Sequence, residues 1–166
     1  MRKLALVVLW CALAVPARGV SVCYYNPGHM RQDLINVALN YTADRFQRVG
    51  IDIHFVFGDT GACQDSDRRF QLFFVKPTPH FASPMAVGIA FAGRAYVIEQ
   101  GHYTPTTLAL VTLHELGHLF GLEHSKRSGI MCPGYDFVDQ IYKNNMVPMF
   151  DEVEGKTMRR NLSKPE

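Results

Sequence analysis

Hydrophobic and polar positions divide the first part of the chain into a strand and a helix. Val20 to Tyr25 is rich in β-forming residues, and Asn26-Pro27-Gly28 marks the turn after it. Apolar residues then recur at i, i+3, i+4 and i+7, namely at Leu34, Val37, Ala38 and Tyr41. This spacing predicts an amphipathic helix of about four to five turns that Gly50 ends.

The middle of the chain predicts four more strands. Residues 51–57 alternate, with Ile51, Ile53, Phe55 and Phe57 on one face, and residues 70–75 form a nearly unbroken apolar run. Val87 to Phe91 and Ala95 to Glu99 predict two strands around Gly93-Arg94.

Capping residues and charges predict two further helices. Thr104-Pro105 supplies a capping hydroxyl and then proline at the first helical position. Phe150 to Leu162 carries its acidic residues early and its basic residues late, which complements a helix dipole. The order β-α-β-β-β-β-α-α predicts one α+β domain, a twisted mixed sheet of about five strands with three helices.

The first residues have a targeting pattern. Arg2-Lys3 gives a basic start, Leu4 to Val15 is almost wholly apolar, and Ala17-Arg18-Gly19 offers small residues to a signal peptidase. The apolar run is too short to span a bilayer. We therefore expect residues 1–19 to be a signal peptide, with cleavage after Ala17 as an alternative. Residues 20–166 would then form a secreted, extracellular domain without a membrane anchor.

The charge balance gives no sign of a nucleic-acid partner. The whole chain has 17 basic and 15 acidic residues, a net charge of +2. Loss of Arg2, Lys3 and Arg18 with the signal leaves 14 basic residues against 15 acidic ones, a net charge of −1. Without a basic stripe, neither nucleic acid nor an anionic membrane is an expected partner.

The cysteines allow one intramolecular disulfide in an oxidising compartment. Cys11 leaves with the signal, so Cys23, Cys63 and Cys132 remain. We favour a bridge between Cys23 and Cys63, which would tie the first strand to a loop, with Cys132 buried as a small hydrophobic residue. The sequence leaves the pairing among these three open.

A metal-binding motif lies in the helix that Thr104 caps. His114 and His118 are four residues apart on one helical face, so their imidazoles can bind one metal ion, with Glu115 beside it. Gly121 permits a positive φ and a sharp turn that returns His124 as a third ligand. Three neutral nitrogens and one open position suit a catalytic zinc ion.

A methionine turn extends the motif. Ser128-Gly129-Ile130-Met131 is typical of a tight turn that carries a methionine, and Met131 comes seven residues after His124. HExxHxxGxxH followed by such a turn is the metzincin signature. An amphipathic helix whose histidines fill a polar face is the alternative, and it explains neither Gly121 nor Met131.

Two segments resemble the matrixins, the matrix metalloproteinase family of zinc peptidases. His114 to Ser125 is similar to their zinc motif, and Met131-Cys132-Pro133-Gly134-Tyr135 is similar to their Met-x-Pro-x-Tyr segment. The resemblance implies a matrixin catalytic domain over residues 20–166, with an active-site cleft over the zinc helix. It also implies protein or peptide substrates, extracellular metalloprotease inhibitors as partners, and a monomer.

The resemblance also implies substrate-binding positions. Pro133 and Tyr135 would form the outer wall of the specificity pocket, and Leu110 would line its floor. Val87 to Phe91 would be the edge strand that pairs with substrate, with Ile89 and Ala90 near the scissile bond.

The chain departs from the matrixins in its other metal sites. Where the family holds a second, structural zinc with histidines, this chain has Phe91 and Tyr96, and Ile98 replaces an acidic calcium ligand. We therefore expect one catalytic zinc, without structural zinc or calcium.

The residues predict metal-assisted peptide hydrolysis with Glu115 as general base. A thermolysin-like peptidase would need a downstream glutamate as third ligand, and His124 argues against it. The alternative from another class is a catalytically silent secreted protein of the same fold, acting in binding or as an inhibitor decoy. Retention of Glu115 argues against that. Two sequons, at Asn40 and Asn161, permit glycosylation on a secretory route.

Overall fold

The computed structural model describes residues 19–58, 63, 69–78, 86–101, 103–125, 129–133 and 149–164. Within these residues, five strands and three helices follow one another in the predicted order. The strands are β1 (Gly19–Tyr25), β2 (Asp52–Phe57), β3 (Gln71–Val75), β4 (Gly88–Phe91) and β5 (Arg94–Ile98), and the helices are α1 (Gln32–Arg48), α2 (Pro105–Leu119) and α3 (Glu152–Leu162). Most of the expected signal peptide and the expected substrate contact Tyr135 lie outside the described residues.

All five strands belong to one mixed sheet, in the order β2-β1-β3-β5-β4. Strands β1, β2, β3 and β5 run parallel, and β4 is antiparallel to β5. The predicted α+β fold with a five-stranded sheet and three helices is therefore confirmed. Because β4 stands at the edge of the sheet, one side of its backbone faces away from the other strands.

Capping residues mark where the helices begin and end. Helix α1 is followed by Gly50 at φ +74°, whose N–H donates to the carbonyl of Gln47 at 2.9 Å. At the start of α2, the hydroxyl of Thr104 accepts from the N–H of Thr107 at 3.1 Å. Helix α3 begins two residues later than predicted, because Asp151 forms a capping box with Glu154. No helix among the described residues is long and apolar enough to cross a membrane.

A cluster of aromatic rings packs at the C-terminal end of α2. Phe46 of α1 lies 5.3 Å from the ring of Phe120 and 5.0 Å from that of Phe150, and Phe70 lies 5.1 Å from Phe120, as measured between ring centroids. All four side chains are buried. Burial of rings of this size fixes the position of Phe120, the residue that caps the C-terminal end of α2.

A disulfide joins Cys23 of β1 to Cys63, which follows β2 in the chain. Both half-cystines are buried, and Cys132 is also buried. The bridge closes a loop whose ends are 40 residues apart in sequence, a length at which a disulfide restricts the unfolded chain strongly.

Candidate active site

Three histidines bring their Nε2 atoms together at the end of α2. The distances are 3.1 Å between His114 and His118, 3.2 Å between His114 and His124, and 3.2 Å between His118 and His124. In a tetrahedral site with Zn–N bonds of about 2.0–2.1 Å, ligand nitrogens lie roughly 3.3–3.4 Å apart. The triangle is thus close to the size that one zinc ion requires. Among the described residues, these three form the single cluster with the geometry of a metal site.

Backbone carbonyls orient two of the three rings. Nδ1 of His114 lies 2.7 Å from the carbonyl oxygen of Ile130, and Nδ1 of His118 lies 2.9 Å from that of Leu122. A carbonyl only accepts, so each Nδ1 carries the proton and each Nε2 presents a lone pair to the centre of the triangle. Converging lone pairs repel one another unless a cation lies between them, which is why this donor set fits a metal.

Burial keeps these imidazoles neutral. It lowers the pKa of His114 from its ordinary 6.5 to about 4, and it also lowers the pKa of His118. Neighbouring imidazoles lower both pKa values further, while the hydrogen bonds to carbonyls oppose the shift. Because metal binding needs unprotonated nitrogen, the lowered pKa values favour the metal-binding form of His114 and His118.

A left-handed glycine turn delivers the third histidine. Gly121 has φ +87°, and its N–H donates to the carbonyl of His118 at 2.9 Å. The next N–H, of Leu122, donates to the carbonyl of Gly117 at 2.9 Å. These two bonds close a glycine C-cap that ends α2 and reverses the chain, so that His124 comes back over the helix.

The methionine turn packs directly under the helix. Met131 is fully buried, and a methyl group added to Gly117 would lie 2.6 Å from its sulfur. The carbonyl of Met131 accepts from the N–H of Ser125 at 2.8 Å, which links this turn to the residue after His124. Thus Met131 touches the metal helix from below.

Glu115 lies in the cleft beside the histidines. Its side chain is 3 % exposed, and burial raises its pKa from 4.5 to about 8. A methyl group on Gly88 of β4 would lie 2.3 Å from its Oε1 atom and 2.6 Å from its Cδ atom. The carboxylate is therefore held between helix α2 and the edge strand.

A cleft of about 530 Å³ runs between β4 and α2. One wall is formed by residues 86–90, and the other by Val111, Glu115 and the three histidines. The N–H of Ile98 donates to the carbonyl of Val87 at 2.9 Å. In an antiparallel pair, every second residue then forms hydrogen bonds with the partner strand, so Val87 and Ile89 face β5. By that alternation, the backbone groups of Gly88 and Ala90 point away from β5, towards a chain that would lie along the edge.

Of the expected substrate-binding residues that the structure describes, two line the cleft and two do not. Ile89 and Ala90 line the cleft. Leu110 is fully buried in the core, and Val111 is the apolar residue of α2 that lines the described cleft. Pro133 is exposed two residues after Met131.

Four aromatic rings stack across neighbouring strands of the sheet. The rings of Phe91 and Tyr96 lie 5.7 Å apart, Tyr96 and Phe73 lie 5.1 Å apart, and Phe73 and Tyr25 lie 4.8 Å apart, all nearly parallel. These four residues belong to four neighbouring strands. Phe91 and Tyr96 supply neither the imidazole nor the thiolate that structural zinc sites use.

Sequence reasoning missed the contacts that support the expected residues. The carbonyls of Ile130 and Leu122 carry no residue-type signal, because any residue supplies a carbonyl. Gly88 had a signal that was not used: an isolated glycine within a strand pattern indicates close approach of another group.

Comparisons with known proteins find a family and a fold. A family model described as Matrixin matches residues 29–151, more than half of the chain. Among solved structures, an archaemetzincin from Methanopyrus kandleri is similar, with a TM-score of 0.58 and 16% sequence identity over 92% of this chain and 100% of that one. At this identity the likeness concerns the fold. The comparison with curated proteins found no match.

Proposed function

The chain belongs to the matrixin family and is a zinc metallopeptidase of the metzincin kind, and we propose that it cleaves internal peptide bonds of extracellular proteins. The observation that carries this proposal is the Nε2 triangle, with sides of 3.1–3.2 Å, in the same cleft wall as the buried side chain of Glu115. In this arrangement a metal and a base can act on one peptide bond.

The proposed metal ligands are His114, His118 and His124. Zinc at this position would act as a Lewis acid on the scissile carbonyl and would lower the pKa of water from 15.7 towards about 7. Glu115 is the proposed general base: in its ionised form, which the positive charge of a bound zinc ion would favour, it takes the proton from the attacking water and passes it to the leaving amine. Met131 binds no metal and instead packs beneath the imidazoles.

The substrate is proposed to bind as an extended strand along β4. Gly88 and Ala90 direct their backbone groups outwards from the sheet edge, where a peptide can pair with them by β-augmentation. A peptide on that edge would cross above α2, next to Glu115 and the histidines. Backbone pairing of this kind recognises a chain rather than a terminus, which favours an endopeptidase.

We further propose that the protein is secreted, works as a monomer with a single catalytic zinc, and meets extracellular metalloprotease inhibitors. The basic and apolar N-terminal residues support export. A disulfide between Cys23 and Cys63 is compatible with an oxidising compartment. Phe91 and Tyr96 stand where the resemblance places histidine ligands of a second zinc, which supports a single catalytic zinc.

The test is cleavage by the purified protein of a quenched peptide library and of gelatin, with and without a zinc chelator. Glu115→Ala is the matched variant, and bound metal is measured on both proteins. We expect chelator-sensitive cleavage by the native protein, and a variant that holds zinc but cleaves at least about 100-fold more slowly. Zinc binding without cleavage would instead favour a silent binding protein or inhibitor decoy. Full activity of Glu115→Ala would refute the assignment of the base.

A further inference from the structure

A side chain of the last helix contacts the turn that carries the proposed zinc ligands. Nδ2 of Asn161 in α3 donates to the carbonyl oxygen of Phe120 at 3.1 Å. Lys164 donates to Oδ1 of the same asparagine at 3.2 Å. Both ends of this partly buried amide are therefore engaged.

The carbonyl of Phe120 belongs to the end of α2, where carbonyls have no partner within the helix. The next residue is Gly121, and a methyl group there would lie 2.3 Å from Nδ2 of Asn161. The amide thus supplies the missing donor and also fills the space beside the left-handed residue. Both contacts hold the glycine turn against α3.

That turn acts on two of the three proposed ligands. The carbonyl of Leu122, two residues after Phe120, accepts from Nδ1 of His118 at 2.9 Å. His124 follows two residues later. A displacement of the turn would rotate the ring of His118 and move His124 out of the Nε2 triangle.

We propose that Asn161 is a positioning residue of the zinc site and is not a glycan acceptor, although it begins a sequon. N-glycosylation attaches the sugar to Nδ2, the atom that contacts both the Phe120 carbonyl and Gly121. An oligosaccharide on that atom would occupy the space of the turn. The inference rests on the proposed zinc ligands and does not need the protein to cleave peptides.

Other contacts keep α3 in place when the amide is lost, so substitutions of Asn161 can be tested in a folded protein. Gly155 packs closely on Val49, Met158 is fully buried, and Arg159 donates to the carbonyl of Val49. None of these contacts involves residue 161.

The experiment compares Asn161→Leu and Asn161→Asp, which keep the size of the side chain but lack the donor, with Ser163→Ala. Ser163→Ala destroys the sequon and keeps the amide. The readouts are zinc affinity by chelator competition and the visible spectrum of the cobalt(II)-substituted protein, which reports ligand geometry. We expect both Asn161 variants to bind zinc about tenfold more weakly, with an altered cobalt spectrum. Ser163→Ala should match the native protein in both readouts.

Three results would overturn the proposal. The first is unchanged zinc affinity and cobalt spectrum in Asn161→Leu and Asn161→Asp, even if their melting temperatures fall. The second is an equal loss of affinity in Ser163→Ala, which would assign the effect to a glycan. The third is a glycan at Asn161 in native protein secreted by eukaryotic cells, detected by mass spectrometry. This last measurement needs no variant, so it can overturn the proposal even if the substitutions prevent folding.

Discussion

Gly88 of β4 and Glu115 of α2 are in direct contact, and the contact is possible because glycine has no side chain. A methyl group at residue 88 would lie 2.3 Å from Oε1 and 2.6 Å from both Cγ and Cδ of the glutamate. The carboxylate is thereby confined beside the backbone on which the substrate is proposed to pair. The same glycine thus leaves room for the side chain of the proposed base and offers its backbone groups to the proposed substrate.

Gly88→Ala should reduce kcat by about 10–100-fold, because Glu115 must leave its position while the metal ligands stay in theirs. KM should change little, since the backbone groups of the edge strand remain. Steady-state kinetics on a quenched peptide, together with zinc content, check this expectation. An unchanged kcat would show that the carboxylate tolerates displacement.

A double-mutant cycle isolates this contact. Gly88→Ala should lower the free energy of unfolding in the native background, and should cost less in the Glu115→Ala background, where the colliding atoms are gone. Equal costs in urea unfolding of the two backgrounds would assign the effect to the strand rather than to the contact.

The metal-free protein should lose stability in both acid and alkali. His114 has a pKa of about 4 when folded and 6.5 ordinarily, so the unfolded chain binds more protons, and stability falls as pH drops from about 6.5 to 4. Glu115 has a pKa of about 8 when folded and 4.5 ordinarily, so the folded protein keeps its proton, and stability falls as pH rises from about 4.5 to 8.

Between pH 4.5 and 6.5 these two contributions oppose each other, and outside that window each can reach about 1.4 kcal/mol per pH unit. Melting temperatures of chelator-treated protein across this range provide the measurement. Glu115→Gln should flatten the alkaline limb and extend the acid limb up to about pH 6.5, because the opposing contribution of Glu115 is gone. Persistence of the alkaline limb in that variant would show that another group causes it.

Ala92→Asn should stabilise the hairpin between β4 and β5 by about 0.5–1 kcal/mol. Ala92 and Gly93 have φ of +47° and +75°, the signs required at both positions of a two-residue type I′ turn, in which Asn-Gly is favoured. Urea unfolding measures the gain, and Ala92→Val is the matched control that should lose stability. A less stable Ala92→Asn protein would contradict the assigned turn.

Gly121→Ala should cost about 2 kcal/mol or more of stability and weaken zinc binding at least about tenfold. The residue has φ +87°, and the added methyl would collide with Asn161. Combining it with Asn161→Ala removes the collision and leaves the backbone penalty, so the double variant should recover only part of the loss. Calorimetric unfolding and chelator competition measure the two effects, and a Gly121→Ala protein with native zinc affinity would contradict the role of the turn.

The helices, the strands and the pairing of His114 with His118 could be predicted because each depends on residues close together in sequence. Hydrophobic periodicity and caps such as Thr104 act within a few residues, so they can be recognised in sequence. The spacing of His114 and His118 likewise follows from helix geometry alone. The strand order and the contacts of Gly88 with Glu115 and of Asn161 with Phe120 join distant parts of the chain. They depend on how the helices pack, which no local pattern encodes.

The carbonyls that orient His114 and His118 come from Ile130 and Leu122, both of which follow the helix in the chain. A nascent chain that ends just after α2 would therefore contain His114 and His118 without the carbonyls that orient their rings. His124 would not yet have been synthesised. Tight metal capture would begin only after synthesis has passed the methionine turn. Uptake of the ion would thus mark the completion of the fold, and stalled or truncated chains would compete poorly for it.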